Sequence, residues 1–223
     1  MKILAVGAHP DDIEIFMYGF LSICRDRGDQ IFLGIATDGS AGGEHKGLEL
    51  SKKRKNETTK ALCDFSKPKF LNSQDGKLSF DKSFINKIED LINSVHPDLI
   101  ITHSVNDYHP DHRSLSKYIQ NIASFEYPLL FAETMMGINF EPDIYIDITQ
   151  YAKKKEKAIR CHKTQNPKRL IEIFKSMNQF RAMQCNLKNG SFVETYKLNK
   201  NYPFLDISLL IPKNIYPLPF ELT

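Results

Sequence analysis

The sequence predicts an α/β fold, a Rossmann-like open and mostly parallel sheet flanked by helices, in a single domain over residues 1–223. Two observations predict it. Short β-rich runs alternate with stretches of 3.6-residue apolar periodicity along most of the chain. The runs are also continuously apolar, as in Leu99-Ile100-Ile101, which suits a sheet covered on both faces better than a half-exposed sandwich.

Taken in order, strands are expected over 3–6, 31–36, 69–71, 99–102 and 129–131. Helical periodicity fills 11–29, 48–65, 82–94 and 111–124 between them. The segment from Asp38 to Lys46, rich in glycine, reads as a flexible loop after the second strand. Ile144-Tyr145-Ile146-Asp147-Ile148 alternates as a further strand. Two charged helical stretches follow at about 150–163 and 167–185, before a Pro-rich end. In such a sheet, ligands gather at the carboxyl ends of the strands.

The 223 residues, 41% hydrophobic, suffice to bury one large core. Thirty basic residues against 27 acidic ones are spread along the length, so no nucleic-acid partner is indicated. The runs Lys52-Lys53-Arg54-Lys55 and Lys153-Lys154-Lys155 read as solvated helix faces. Cys24, Cys63, Cys161 and Cys185 form no CxxC pair, and three of them fall in apolar-periodic stretches that read as buried helix faces. The first residues carry no signal peptide, and no apolar run approaches the ~20 residues of a membrane span, so a cytoplasmic location and no integral membrane segment are expected.

Two clusters carry the chemistry. His9-Pro10-Asp11-Asp12-Ile13-Glu14 follows the first strand. His103-Ser104-Val105-Asn106-Asp107-Tyr108-His109-Pro110-Asp111-His112 follows the fourth and holds three of the seven histidines. Each cluster opens a helix, where a proline in the first turn and an aspartate near the free N–H groups are ordinary capping features. Capping accounts for one carboxylate per helix; it does not account for three carboxylates with three imidazoles in two HPD motifs. Two strand ends can be neighbours in a parallel sheet, and convergent His and Asp without Cys suit zinc or a similar divalent ion.

With those residues in view, the chain resembles the PIG-L, LmbE-like deacetylases. Ala8-His9-Pro10-Asp11-Asp12 with Glu14, and His109-Pro110-Asp111-His112, look like the paired HPDD and HPDH signature of that family. Further matches are Thr37-Asp38-Gly39, Arg54 with Glu57, Pro142-Asp143-Ile144-Tyr145 with Asp147-Ile148-Thr149, His162-Lys163-Thr164-Gln165 and Val193-Glu194-Thr195-Tyr196. The resemblance implies a zinc-dependent N-deacetylase acting on an N-acetylglucosamine-type amino sugar or glycoconjugate. His9, Asp12 and His112 would be zinc ligands and Asp11 the general base. His109 would polarise or protonate the tetrahedral intermediate, with Asp111 orienting its ring. Fe2+ or another divalent ion would also suit these ligands. Some relatives form closed homo-oligomers, and nothing in this sequence counts subunits.

Arg54 is a candidate for substrate binding, against a surface pair with Glu57 three residues on. Tyr108 is a second candidate, beside His109. Glu14 reads as outer shell or helix salt bridge, Asp147 as structural and His162 as a residue of the pocket rim. His45 and His96 read as surface residues. Many family members carry several glycines after the first motif. Here Ile15-Phe16-Met17-Tyr18-Gly19-Phe20 keeps one, which narrows the expected pocket floor and leaves the substrate open.

Three rivals compete. A dinucleotide-binding oxidoreductase lacks its GxGxxG, having Gly7-Ala8-His9-Pro10 where a pyrophosphate would sit. A metal-dependent phosphoesterase would use two ions about 4 Å apart and more bridging carboxylates. A non-catalytic sugar-binding protein of the same fold would have no need for the base and the oxyanion histidine.

Overall fold

In the computed structural model, residues 1–43 and 45–200 are described. Among them, seven strands form one sheet in the order β3-β2-β1-β4-β5-β7-β6. The strands are β1 (Lys2–Gly7), β2 (Gln30–Thr37), β3 (Lys69–Ser73), β4 (Leu99–His103), β5 (Leu129–Ala132), β6 (Ile144–Asp147) and β7 (Val193–Leu198). β1 to β5 run parallel, and β7 pairs antiparallel with both β5 and β6. The helices are α1 (Asp12–Phe16), α2 (Tyr18–Asp26), α3 (Leu48–Ala61), α4 (Phe84–Val95), α5 (Pro110–Ala123), α6 (Ala152–Ile159) and α7 (Pro167–Gln184).

Side-chain alternation sends Ile3, Ala5, Leu99 and Ile101 into one apolar layer, with residues of α1, α2, α6 and α7. Leu4, Val6 and Ile100 enter the other, with Ile88, Leu91 and Ile92 of α4 and Leu115 and Ile119 of α5. Both faces of the sheet are therefore covered, which is why its central strands read as unbroken apolar runs. Strand order reverses between β1 and β4, and both HPD motifs leave the sheet at this switch point.

Three expectations change. The helical pattern over 11–29 divides at Met17, whose φ of −131° and ψ of −9° leave helical geometry and end α1 before α2 starts. β7 was not expected as a strand at all. Of the four cysteines, only Cys24 is buried; Cys63 is exposed, and Cys161 and Cys185 lie at intermediate depth, because their stretches end in turns. The bulky side chains Ile15, Phe16, Met17, Tyr18 and Phe20 pack into the first apolar layer, where the Phe16 ring stands edge-on to His103. Gly19 has a packing reason: a Cβ there would lie 2.6 Å from Ile148 Cβ and 2.9 Å from Glu194 Oε1. Gly19→Ala is expected to cost about 1–3 kcal/mol in overpacking, read as a lower midpoint in chemical denaturation.

Candidate active site

His9, Asp11 and Asp12 leave the end of β1, while His103 ends β4 and His109 and His112 open α5. Nδ1 of His9 lies 3.1 Å from Nε2 of His112. Asp12 spans the two, with Oδ2 3.4 Å from His9 Nδ1 and Oδ1 3.4 Å from His112 Nε2. The remaining nitrogen of each imidazole faces carboxylates. His9 Nε2 is 3.3 Å from both Asp75 Oδ1 and Asp111 Oδ2. His112 Nδ1 is 3.1 Å from Asp107 Oδ1, close but not aligned as a hydrogen bond.

This arrangement fixes the tautomers by inference. Carboxylates behind His9 Nε2 and His112 Nδ1 favour protons there, which turns two lone pairs and a carboxylate toward one point. Such a point is repulsive without a cation. The 3.1 Å between His9 Nδ1 and His112 Nε2 is close to the edge of about 3.3 Å of a tetrahedron with zinc-to-ligand bonds of about 2.0–2.1 Å, and Asp12 offers one oxygen to each ring at 3.4 Å. Carboxylates behind metal-facing imidazoles are the usual outer-shell device. Sulfur-free N and O donors suit zinc, iron(II) and similar ions.

Two other groupings of the same residues have enough donors for an ion, His9 with Asp75 and Asp111, and Asp12 with His103 and His112. In the first, Asp111 already accepts Gly76 N–H at 2.7 Å and Leu78 N–H at 3.1 Å, and Asp75 Oδ2 accepts Ala41 N–H at 3.0 Å. In the second, His103 Nε2 is already held between Ala8 N–H at 3.0 Å and Asp12 Oδ2 at 3.1 Å. A third, His9 with His109 and His112, shares two members with the favoured set.

Charge follows geometry. Burial alone would lower the His112 pKa, but the Asp12 and Asp107 carboxylates outweigh it and raise it to about 9. His9 is likewise opposed by burial and carried well above its ordinary value by Asp111, Asp12 and Asp75. Asp12 is held well below the usual carboxylate range by His112 and His103 despite its burial.

Asp11 stands beside this point in a strained backbone, φ 144°, in a region where L residues are rare. Burial raises its pKa, against the lowering pull of Arg54. Arg54 is not at the surface. Its guanidinium is 3% exposed and donates to Asp11 Oδ2 at 3.1 Å, Pro10 O at 3.0 Å and Gly39 O at 3.1 Å. The alternative pair with Glu57 does not form, because Glu57 takes Thr164 N–H and Oγ1–H instead. The basic run therefore divides: Lys52 and Lys53 face solvent and Arg54 turns inward.

His109 keeps one nitrogen for the backbone, Nδ1 accepting Asp111 N–H at 3.2 Å. Its proton then sits on Nε2. Burial, then His9 and His112, lower its pKa to about 4, so at neutral pH it is a neutral donor. The expected pairing of the Asp111 carboxylate with the His109 ring is corrected. That carboxylate is drawn to His9 and to the Gly76 and Leu78 N–H groups, and Asp111 reaches His109 only through its own backbone. Tyr108 is 42% exposed, with its ring edge-on to His109 and His112 at the mouth of the site.

His162 is buried rather than at a rim, its Nε2 2.8 Å from Glu14 Oε1. That contact replaces the helix salt bridge considered for Glu14. Asp147 accepts Thr149 N–H at 2.8 Å and only shapes its turn. His45 and His96 are exposed. The motifs carry no sign of Asp75, and they left two members of the second cluster without a role: Asp107, which faces His112, and His103, which stacks on it with centroids 3.9 Å apart. One signal was available for each: Asp75 follows β3, and His103 and Asp107 end and follow β4, at the strand ends where ligands gather.

The family model described as PIG-L, GlcNAc-PI de-N-acetylase, matches residues 4–123. Diacetylchitobiose deacetylase of Thermococcus kodakarensis is 24% identical over 211 residues, covering 85% of this chain and 79% of that protein. The protein named "Probable N-acetyl-alpha-D-glucosaminyl L-malate deacetylase 2" of Bacillus subtilis is 23% identical over 216 residues, covering 88% and 98%. Among solved structures, the 4-carboxy-2-hydroxymuconate hydratase GalB of Pseudomonas putida shares the fold with a TM-score of 0.78 at 20% identity, covering 89% of this chain and 95% of that one. With more than half of its length matched by the family model, this chain belongs to the PIG-L family of de-N-acetylases.

Proposed function

We propose that the chain is a zinc-dependent N-deacetylase that releases acetate from an N-acetylglucosamine-type moiety. The observation that carries this reading is the approach of the Asp12 carboxylate to within 3.4 Å of both His9 Nδ1 and His112 Nε2, themselves 3.1 Å apart. His9, Asp12 and His112 would hold the ion. When bound, zinc would supply Lewis acidity, lowering the pKa of a water toward ~7 and polarising the amide carbonyl.

The chain's own residues do the rest. Asp11, its pKa raised by burial and its carboxylate held by Arg54, accepts the proton of the attacking water. His109, neutral with its proton on Nε2, donates a hydrogen bond to the oxygen on which charge develops. Asp111 and Asp75 hold the His9 ring, and Asp107, itself bonded by Thr134 Oγ1, stands behind His112. Tyr108 borders the substrate's entrance. Relatives named for diacetylchitobiose and for an N-acetylglucosaminyl malate support the amino-sugar class.

The test is a coupled assay for acetate and free amine on N-acetylglucosamine derivatives with the zinc-reconstituted chain, before and after chelation. Release that depends on the ion supports the reading; no release from any derivative by zinc-bound protein overturns it. Two further outcomes are expected. Asp107→Asn should weaken zinc binding about 10- to 100-fold in chelator competition, as loss of an outer-shell carboxylate does. Zinc binding near pH 7 should expel the proton of His112, so affinity rises with pH up to about 9, where His112 loses that proton anyway. Calorimetry in buffers of different ionisation enthalpy counts that proton.

A further inference from the structure

Between α6 and α7, His162-Lys163-Thr164-Gln165 carry no step of the proposed chemistry, and they lie outside residues 4–123 that the family model matches. They form a single 3-10 turn over Lys163–Gln165. From that turn, side chains reach three separate parts of the chain. His162 Nε2 meets Glu14 Oε1 of α1 at 2.8 Å. Thr164 gives its N–H to Glu57 Oε1 at 3.1 Å and its hydroxyl to Glu57 Oε2 at 2.6 Å. Gln165 Nε2 donates to Gly42 O at 2.5 Å.

Two of these contacts bear on Arg54. Glu57 stands three residues beyond it on α3, the spacing at which opposite charges pair along a helix. Gly42 lies so close to the guanidinium that a Cβ there would overlap Arg54 Nη1. Gly39 O, in the same loop, accepts from that nitrogen at 3.1 Å. Arg54 therefore has two carboxylates to choose from, Glu57 on its own helix and Asp11 across the site, and it takes Asp11 at 3.1 Å. Thr164 withdraws the alternative, because both Glu57 oxygens already accept its hydrogen bonds.

Resting on the deacetylase reading above, we propose that the turn over residues 162–165 is a positioning brace for Arg54. Thr164 occupies the carboxylate that would draw the guanidinium away from Asp11, and Gln165 fixes the loop packed against it. His162 anchors the turn itself on α1. Asp11 then keeps the orientation that proton transfer requires.

The experiment uses the zinc-loaded full chain with Thr164→Val, which keeps the shape and loses the hydroxyl, and Thr164→Ser, which keeps the hydroxyl. Thr164→Val should lower kcat about 10- to 100-fold on an N-acetylglucosamine derivative, the cost of a misplaced reacting group, with zinc affinity at the parent's value. Thr164→Ser should return kcat to the parent's level. Glu57→Gln should suppress the Thr164→Val defect, since a neutral amide does not compete for the guanidinium. A lower thermal midpoint in Thr164→Val with kcat per zinc-loaded molecule unchanged would mark a merely structural contact and overturn the brace. A defect that Glu57→Gln leaves untouched overturns it too. NMR of the guanidinium reads the same point without turnover. Held by Gly39 O, Pro10 O and Asp11 Oδ2, Arg54 should show slowly exchanging Nη signals, assigned by their loss in Arg54→Lys. These should broaden in Thr164→Val and in Gln165→Glu and recover in Thr164→Ser. If no derivative reacts but the signals respond, the brace stands and the deacetylase reading falls. If neither variant moves them, the brace falls alone.

Discussion

Asp11→Asn is expected to keep zinc and lose about 10²- to 10⁴-fold in kcat, the usual worth of a positioned general base. The substitution is nearly isosteric, and the amide oxygen can still accept from Arg54 Nη2. None of the three converging donor atoms belongs to Asp11, so metal content should match the parent chain. The unusual backbone at φ 144° is retained too, because asparagine tolerates positive φ as well as aspartate does. What disappears is the ability to accept a proton. Full activity in this variant would remove Asp11 from the mechanism, whereas parallel loss of activity and of zinc would make it a ligand.

His112→Ala should abolish activity by the other route, through the metal. It removes one of two imidazole donors and leaves His9 Nδ1 and Asp12 with an incomplete set. The loss in zinc affinity should exceed the ~10- to 100-fold of an outer-shell change. The side chain is also 2% exposed and stacked on His103, so the fold loses packing at the same time. His112→Gln, closer in volume, separates the two effects: zinc lost with thermal stability retained marks a ligand. Stoichiometric zinc at unchanged affinity in both variants would exclude His112 from the site.

Much of this site was legible because the strand ends and the motifs coincide. A continuous apolar run followed by HPDD or HPDH marks both the end of a buried strand and the chemistry placed there. The outer residues were less legible for a physical reason. Asp75 reaches His9 from another strand's exit, and a lone aspartate before a glycine looks like any turn. The role of Asp111 was misread because neighbours in sequence need not be partners in space. At the start of α5 the carboxylate turns away from His109 toward two N–H groups 33 and 35 residues earlier in the chain. Arg54 was ambiguous because a basic run gives no sign of which member points inward. β7 escaped notice because Val193-Glu194-Thr195-Tyr196 places a charge where a strand in the middle of a sheet normally has an apolar residue.

That charge has a consequence for the order in which the molecule assembles. Glu194 is 1% exposed and accepts the N–H groups of Gly19 and Phe20 at 2.8 Å each, the free donors at the start of α2, while Lys155 Nζ donates at 2.8 Å to the same oxygen as Gly19. The helix that begins eighteen residues into the chain is thus completed by a residue some 175 positions later. During synthesis, the ribosome delivers the first strand and both HPD motifs long before it delivers Glu194. Until Glu194 and its strand arrive, the Gly19 and Phe20 donors and the β7-facing edge of β5 lack the partners they have in the finished sheet.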